Sequence, residues 1–477
     1  MKFISLKKAL KIIMLIVASF ISIIASSIPI SKIEDSSENA AIVNSNVYAI
    51  THVNIIPFEE RDSTVSSQIL YDQTIIIEEG KIISISKSTN QIPNNIEVID
   101  AQGKYIMPGL VDMHTHLFDK SDLRLYLANG VTTVRNMMGF SMHLKWKQQI
   151  KEGKFAGATL YTGSPTLNKG DNAGPFHKKI KKAEKVEKVV RKYAESGYDF
   201  IKIYDGLDNE TLDAIISEAK KHNMPVAGHL PYDIEFDELI QKDILSFEHV
   251  EELLQAVMHN KYSEKEMRVI AQKIKANNIY ITPTLSAYYN ILQATVQKEA
   301  FLKRDSTVFI NPVLRFIGRK QLKEYVEKED NSNVILKYKI LQYILKVLNE
   351  EGVMLLLGTD CGPNLTLPGF SLIEEIELGV KSGVSRYDML LSGTLNAAKA
   401  LGIEEQSGSV SVGKTADLIL LNQNPLESTT TLKNPHAVIK NGVMYDEKAL
   451  LEMIEKGKKH ASVFRTIGRF LNQMISK

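Results

Sequence analysis

One cysteine, Cys361, supplies all the thiol chemistry of this 477-residue chain. No intrachain disulfide can form, so cysteine usage is silent about the compartment. The same scarcity excludes an N-terminal lipoprotein anchor, because no cysteine lies near the leader described below. An excess of one charge is missing too. The 58 Lys and Arg face 56 Asp and Glu for a formal net charge of +2. No basic stripe interleaved with aromatics falls on a predicted face, so nucleic acid is not an expected partner. Internal repeats are absent beyond a strand-and-helix alternation. What is present is 44% hydrophobic residues, suited to a globular protein whose length calls for one large domain and a smaller one.

The N-terminus carries Lys2, Lys7, Lys8 and Lys11, then IIMLIVASFISIIASS, then the polar KIEDSSEN. A basic start, an apolar run and small residues around Ala25-Ser26-Ser27 read as a secretory signal within residues 1–30, which predicts a periplasmic or secreted protein. An uncleaved segment is the one membrane attachment this leaves open, since Ile12 to Ile30 approaches the roughly 20 residues needed to span a bilayer.

Residues 40–104 hold short β-rich runs such as NVYAITHVNII and QTIIIEEGKIISIS, and the texture returns over 408–447 in TADLILLNQ and AVIKNGVMYD. These predict a small antiparallel β-domain, a β-sandwich built from both chain ends. Residues 448–477 read as a helical tail. Between the flanks, residues 105–407 alternate apolar strands with amphipathic helices, the α/β pattern of parallel βα units. The strands are LVDMH, VTTVR, ATLYT, FIKIY, PVAGH, LSFEH, YITPT and VMLLLG. Eight of them predict a (β/α)8 TIM-like barrel, with chemistry at the C-terminal strand ends. Asp208 and Ser263 are set as helix N-caps, and the charged segment over residues 288–333 is expected to cap or flank the mouth.

Polar residues then gather where the strands end. His114 and His116, two apart on one strand face, can share a metal ion, although an H-x-H pair alone is as readily structural. Lys202 lies inside FIKIY, where burial depresses an amine's pKa. It is either paired with a carboxylate or able, as a neutral amine, to take up CO2 and bridge two metals as an anionic carbamate. His229 and His249 end the fifth and sixth strands and extend the metal reading. Asp360 follows the eighth, as a turn cap or as a metal ligand that accepts a proton from water. Cys361 beside it suits a small buried thiol. His143 and His177 fall in mouth-side loops within reach of substrate, while His52, His222, His259, His436 and His460 suit solvated surface. Trp146 packs or lines the rim.

The motifs PGLVDMHTH, IKIY, AGHLP, FEHVEE and GTDCGP, with PGFSLIEEIELGVKSG, TLNAAKALG and GSVSVGKTADLILLNQNPL, resemble the amidohydrolase superfamily. The match is to its imidazolonepropionase-like branch, which includes exported Xaa-Pro dipeptidases and N-acyl amino acid hydrolases, and it covers roughly residues 47–446. The resemblance implies His114 and His116 on the more buried of two divalent metals, with zinc favoured by the ligand set. It also implies Lys202 as the carboxylated bridge, His229 and His249 on the second metal, Asp360 as ligand and general base, and Tyr204 as a substrate contact. The implied substrate is a small-molecule amide or dipeptide. An ester or lactone hydrolase, or a non-catalytic metal-binding protein, uses the same residues, and a homo-oligomer is admitted.

Overall fold

The computed structural model describes residues 46–61, 64–65, 69–88, 92–170 and 173–476. The leader and any anchor fall outside them. No helix among the described residues is long and apolar enough to cross a membrane.

Both flanks build one mixed sheet. Val47–Ile55 pairs antiparallel with Leu70–Glu78, which pairs antiparallel with Lys81–Lys87. On its other side Val47–Ile55 runs parallel to Glu97–Asp100 and to Tyr105–Pro108. Tyr105–Pro108 then receives the distant Leu418–Leu421 antiparallel, followed by Ala437–Lys440 and Val443–Asp446. The last hairpin turns at Asn441-Gly442, both with positive φ (50° and 78°), the geometry of a two-residue primed turn. The purely antiparallel pairing expected from the sequence is thus corrected to a mixed one, because the chain crosses back before Glu97–Asp100 and Tyr105–Pro108. Ile50, Ile75, Ile106, Leu418 and Ile439 form the sheet's own core, and the Lys440–Asp417 ion pair is buried at 2.5 Å.

The central strands run parallel in chain order. Leu110–Thr115, Val131–Asn136 and Thr159–Thr162 form one group. Ile201–Ile203, Val226–Gly228, Ser246–Glu248 and Tyr280–Thr282 form another, and a parallel bridge at Gly163 and Phe200 links the two. All seven are buried or nearly so, as continuous apolar runs under helices require. The eighth expected strand is not a regular ladder. Its segment bridges Leu355 to Ile281 on one side, while Met113 N donates to Leu357 O at 2.8 Å on the other. Asp208 caps Asn209–Lys221 by accepting from Thr211 N, and Ser263 caps Glu264–Ala276 by accepting from Glu266 N.

Candidate functional site

His114 is fully buried near the end of Leu110–Thr115. Its Nδ1 lies 2.8 Å from Glu248 Oε2, and its Nε2 faces Asp360 Oδ1 at 3.4 Å. His116 Nε2 meets the same Asp360 oxygen at 3.0 Å. Ligand atoms of His114, His249 and Asp360 all lie within 4.8 Å of one another. The rings of His249 and His229 are 4.6 Å apart, and Lys202 Nζ is 3.3 Å from His229 Nδ1. The six residues singled out as ligands therefore adjoin one another at the strand ends. The Tyr204 ring lies tilted against His229 at 4.0 Å, and His177 packs 4.6 Å from Tyr204.

Two of these residues sit in unusual backbone. His249 (φ 69°) and Asp360 (φ 53°) occupy the left-handed region, which a residue other than glycine adopts at a cost. Each turns the chain sharply where a strand ends. The turns are held by His249 N donating to Thr282 O and Asp360 N donating to His114 O, both at 2.8 Å.

Electrostatics separates the ionised groups from the neutral ones. Burial, then the neighbouring His249, lowers His114 to about 3. Burial and the nearby Lys202 hold His229 well below the usual imidazole range. Burial also lowers Lys202 to about 8, against the opposing pull of Glu248. In Glu248 burial works against ionisation, yet Arg135, His114 and Lys202 outweigh it and keep the carboxylate charged. Asp360 behaves likewise: burial is outweighed by His116, His114 and His249. Neutral imidazoles beside buried carboxylates are what a divalent cation needs.

The donor set fits such ions on a second count. His114 Nε2 and His116 Nδ1 are buried and make no hydrogen bond among the described residues. An orphaned imidazole nitrogen in the interior calls for a partner.

His143 is placed elsewhere, which corrects its expected contact with substrate. It is buried, its Nδ1 accepts from Phe140 N at 2.9 Å, and its Nε2 donates to Leu117 O at 2.8 Å. Both ring nitrogens are committed to the fold, and burial lowers its pKa to about 3. Trp146 packs on it in the core. Cys361 is buried, and burial pushes its thiol well up, away from nucleophilic use.

Sequence reasoning missed the residues behind the ligands. Glu248 receives Arg135 Nη2 at 2.8 Å and Ser246 Oγ at 2.6 Å, while Thr284 Oγ1 lies 2.7 Å from His249 Nδ1. The available signal was a charged residue on the inward face of an apolar strand, in LSFEH and in VTTVR.

Residues 105–445 match the Amidohydrolase family. The 5'-deoxyadenosine deaminase of Methanococcus aeolicus is 25% identical over 406 residues, 76% of this chain and 84% of that protein. The imidazolonepropionase of Thermoplasma volcanium is 22% identical over 393 residues, covering 76% and 87%. Among solved structures, a Xaa-Pro dipeptidase with methionine bound in its active site gives a TM-score of 0.66 at 22% identity, over 84% of this chain and 100% of its own. Bottromycin amidohydrolase gives 0.72 at 22% identity, over 87% and 90%. At that identity the structures establish a shared fold. With the family match spanning most of the chain, and a metal-ready cluster at its strand ends, the protein belongs to the amidohydrolase family and is a metal-dependent hydrolase of carbon–nitrogen bonds.

Proposed function

We propose an exported amidohydrolase with two divalent ions in a closed eight-stranded barrel, cleaving an amide bond in a small molecule. The convergence of four histidines, Lys202 and Asp360 on one strand-end cluster carries this reading. His114 and His116 would hold the more buried ion, His229 and His249 the other, with Asp360 completing the set. Lys202 would join them as a carbamate, formed when its neutral amine adds to CO2 and releases a proton. Zinc is the metal favoured by this mixture of imidazole and carboxylate donors. Ions held there would lower the pKa of bound water to about 7 and polarise the substrate carbonyl.

The remaining steps belong to the protein. Asp360 takes a proton from the attacking water as the new C–O bond forms, then gives it to the leaving nitrogen as the C–N bond breaks. Glu248 fixes the tautomer and orientation of His114, and Thr284 orients His249. Tyr204, packed between His229 and His177, contacts the substrate.

The test combines metal analysis with a substrate screen. The purified protein holds close to two divalent ions and hydrolyses members of a panel of dipeptides, N-acyl amino acids and lactones, with amides ahead of lactones. Full metal content and full rate in both His114→Ala and His249→Ala would remove the site.

A further inference from the structure

The helix Val463–Ser476 has no part in the cluster, yet its position bears on what the cluster receives. Ile467, Phe470, Leu471 and Met474 recur at the spacing of one apolar stripe. The helix is strapped to the body of the protein by polar bonds. Asn311 Nδ2 donates to Thr466 Oγ1 at 3.1 Å, Arg469 Nη1 donates to Phe118 O at 3.1 Å, and Gln473 Nε2 donates to Gly139 O at 3.1 Å. Thr466 and Gln473 are buried by this docking, whereas the four apolar side chains are only half-buried. An apolar stripe held beside the body but not covered by it borders a void.

The void is a cavity of about 480 Å³ between this helix and the helix Pro312–Val326. That volume lies within the roughly 300–1,000 Å³ of small-molecule sites. Phe118, Met138, Phe176 and Ile317 line it further, and at one end it meets His116, Gly362 and Pro363, beside Asp360. Gly362 (φ 126°) lets the chain pass close against His116 there, since a Cβ would stand 2.9 Å from His116 Cβ. Among the lining residues only His116 and Gln321 have polar side chains. A dipeptide would bring an ammonium and a carboxylate into surroundings with no charged partner, an unfavourable transfer. A hydrocarbon chain loses nothing there and gains about fourfold in affinity for each methylene removed from water.

We propose that this cavity takes a long apolar acyl chain, so that the substrates are N-acyl compounds whose scissile carbonyl lies at the His116 and Asp360 end. The assignment rests on amide hydrolysis at the cluster. It makes the helix Val463–Ser476 one wall of the acyl site. Specificity then resides in elements separate from the ligands, as is general for barrels of this architecture.

Two measurements on the metal-loaded full chain test it. The first is calorimetric binding of acetate, hexanoate and dodecanoate, which needs no turnover. The second is kcat/KM for N-acetyl-, N-hexanoyl- and N-dodecanoyl-glycine. Dodecanoate binds at least 30-fold more tightly than hexanoate, and kcat/KM rises in the same order. Ile467→Arg and, independently, Met474→Arg cut the preference for the dodecanoyl over the acetyl compound tenfold or more, while Ile467→Leu retains the preference. Dodecanoate binding no tighter than acetate, or a preference untouched in both arginine variants, overturns the acyl site whatever the amide activity. Chain-length-dependent binding with no amide hydrolysed at any length overturns the amide reading instead and leaves the apolar subsite standing.

Discussion

Glu248 and His114, 134 residues apart in the chain, meet at 2.8 Å in the buried interior, and the second oxygen of Glu248 is held by Arg135 at 2.8 Å. The carboxylate occupies His114 Nδ1 and so leaves Nε2, the orphaned nitrogen, to face Asp360 and His249.

Replacing Glu248 with Gln removes the charge that orients His114 and raises its basicity, so metal affinity falls about 10- to 100-fold. It also leaves Arg135 as a buried charge without its anion, which destabilises the fold by about 3–5 kcal/mol. Competition with a chelator, run beside thermal unfolding on the same preparation, reads both effects. Unchanged metal affinity in a folded variant would deny Glu248 its positioning role.

Lys202→Ala abolishes turnover, and a short carboxylate such as formate, with added metal, restores part of it, because the carbamate's task is to present anionic oxygens. The lowering of Lys202 to about 8 leaves a neutral amine available near neutrality. A crystal structure of the fully metallated enzyme with an unmodified amine at Lys202 would contradict the bridge.

The strand ends were legible because their chemistry is written at fixed spacing. H-x-H puts two imidazoles on one face, and LSFEH and PVAGH place one histidine each at a strand terminus. Lys202 stood out as a charge inside an apolar run. Arg135 and Glu248 carry the same mark, but their mutual pairing depends on which strands become neighbours, and no local pattern states that. His143 was misjudged for a related reason. A loop histidine near the mouth looks available until packing commits both nitrogens to backbone groups. The mixed sheet, too, depends on where Glu97–Asp100 and Tyr105–Pro108 return, and the β-rich texture of those runs is the same for either direction of pairing.

The commitment of His143 has a pH signature. Its folded pKa is lowered from 6.5 to about 3, with burial as the largest cause, so the unfolded chain binds a proton in this window that the folded chain refuses. The stabilising contribution is complete above the unfolded value of 6.5 and is lost as pH falls toward 3. In His143→Gln no such proton exists. The stability of the parent relative to that variant therefore falls by roughly tenfold in folding equilibrium per pH unit between about 6 and 4. Denaturant unfolding of both proteins at pH 7, 6 and 5 measures it, and parallel losses in the two would show that His143 does not titrate on unfolding.

Asp360 carries the proton in the proposed reaction, and its geometry makes the substitution to Asn informative. Its backbone is pinned where the eighth segment meets the first strand, by Asp360 N donating to His114 O at 2.8 Å and by Thr366 Oγ1 donating to Asp360 O at 3.2 Å. Asn keeps the shape and one coordinating oxygen, so the turn and most of the metal persist. It cannot accept a proton near neutrality. Asp360→Asn is therefore expected to lower kcat by about 10²-fold or more, the lower end of what a positioned general base contributes. With rates normalised to metal content measured in the same preparation, a kcat within about threefold of the parent would show that Asp360 is not the base and would move the role to another group facing the cluster.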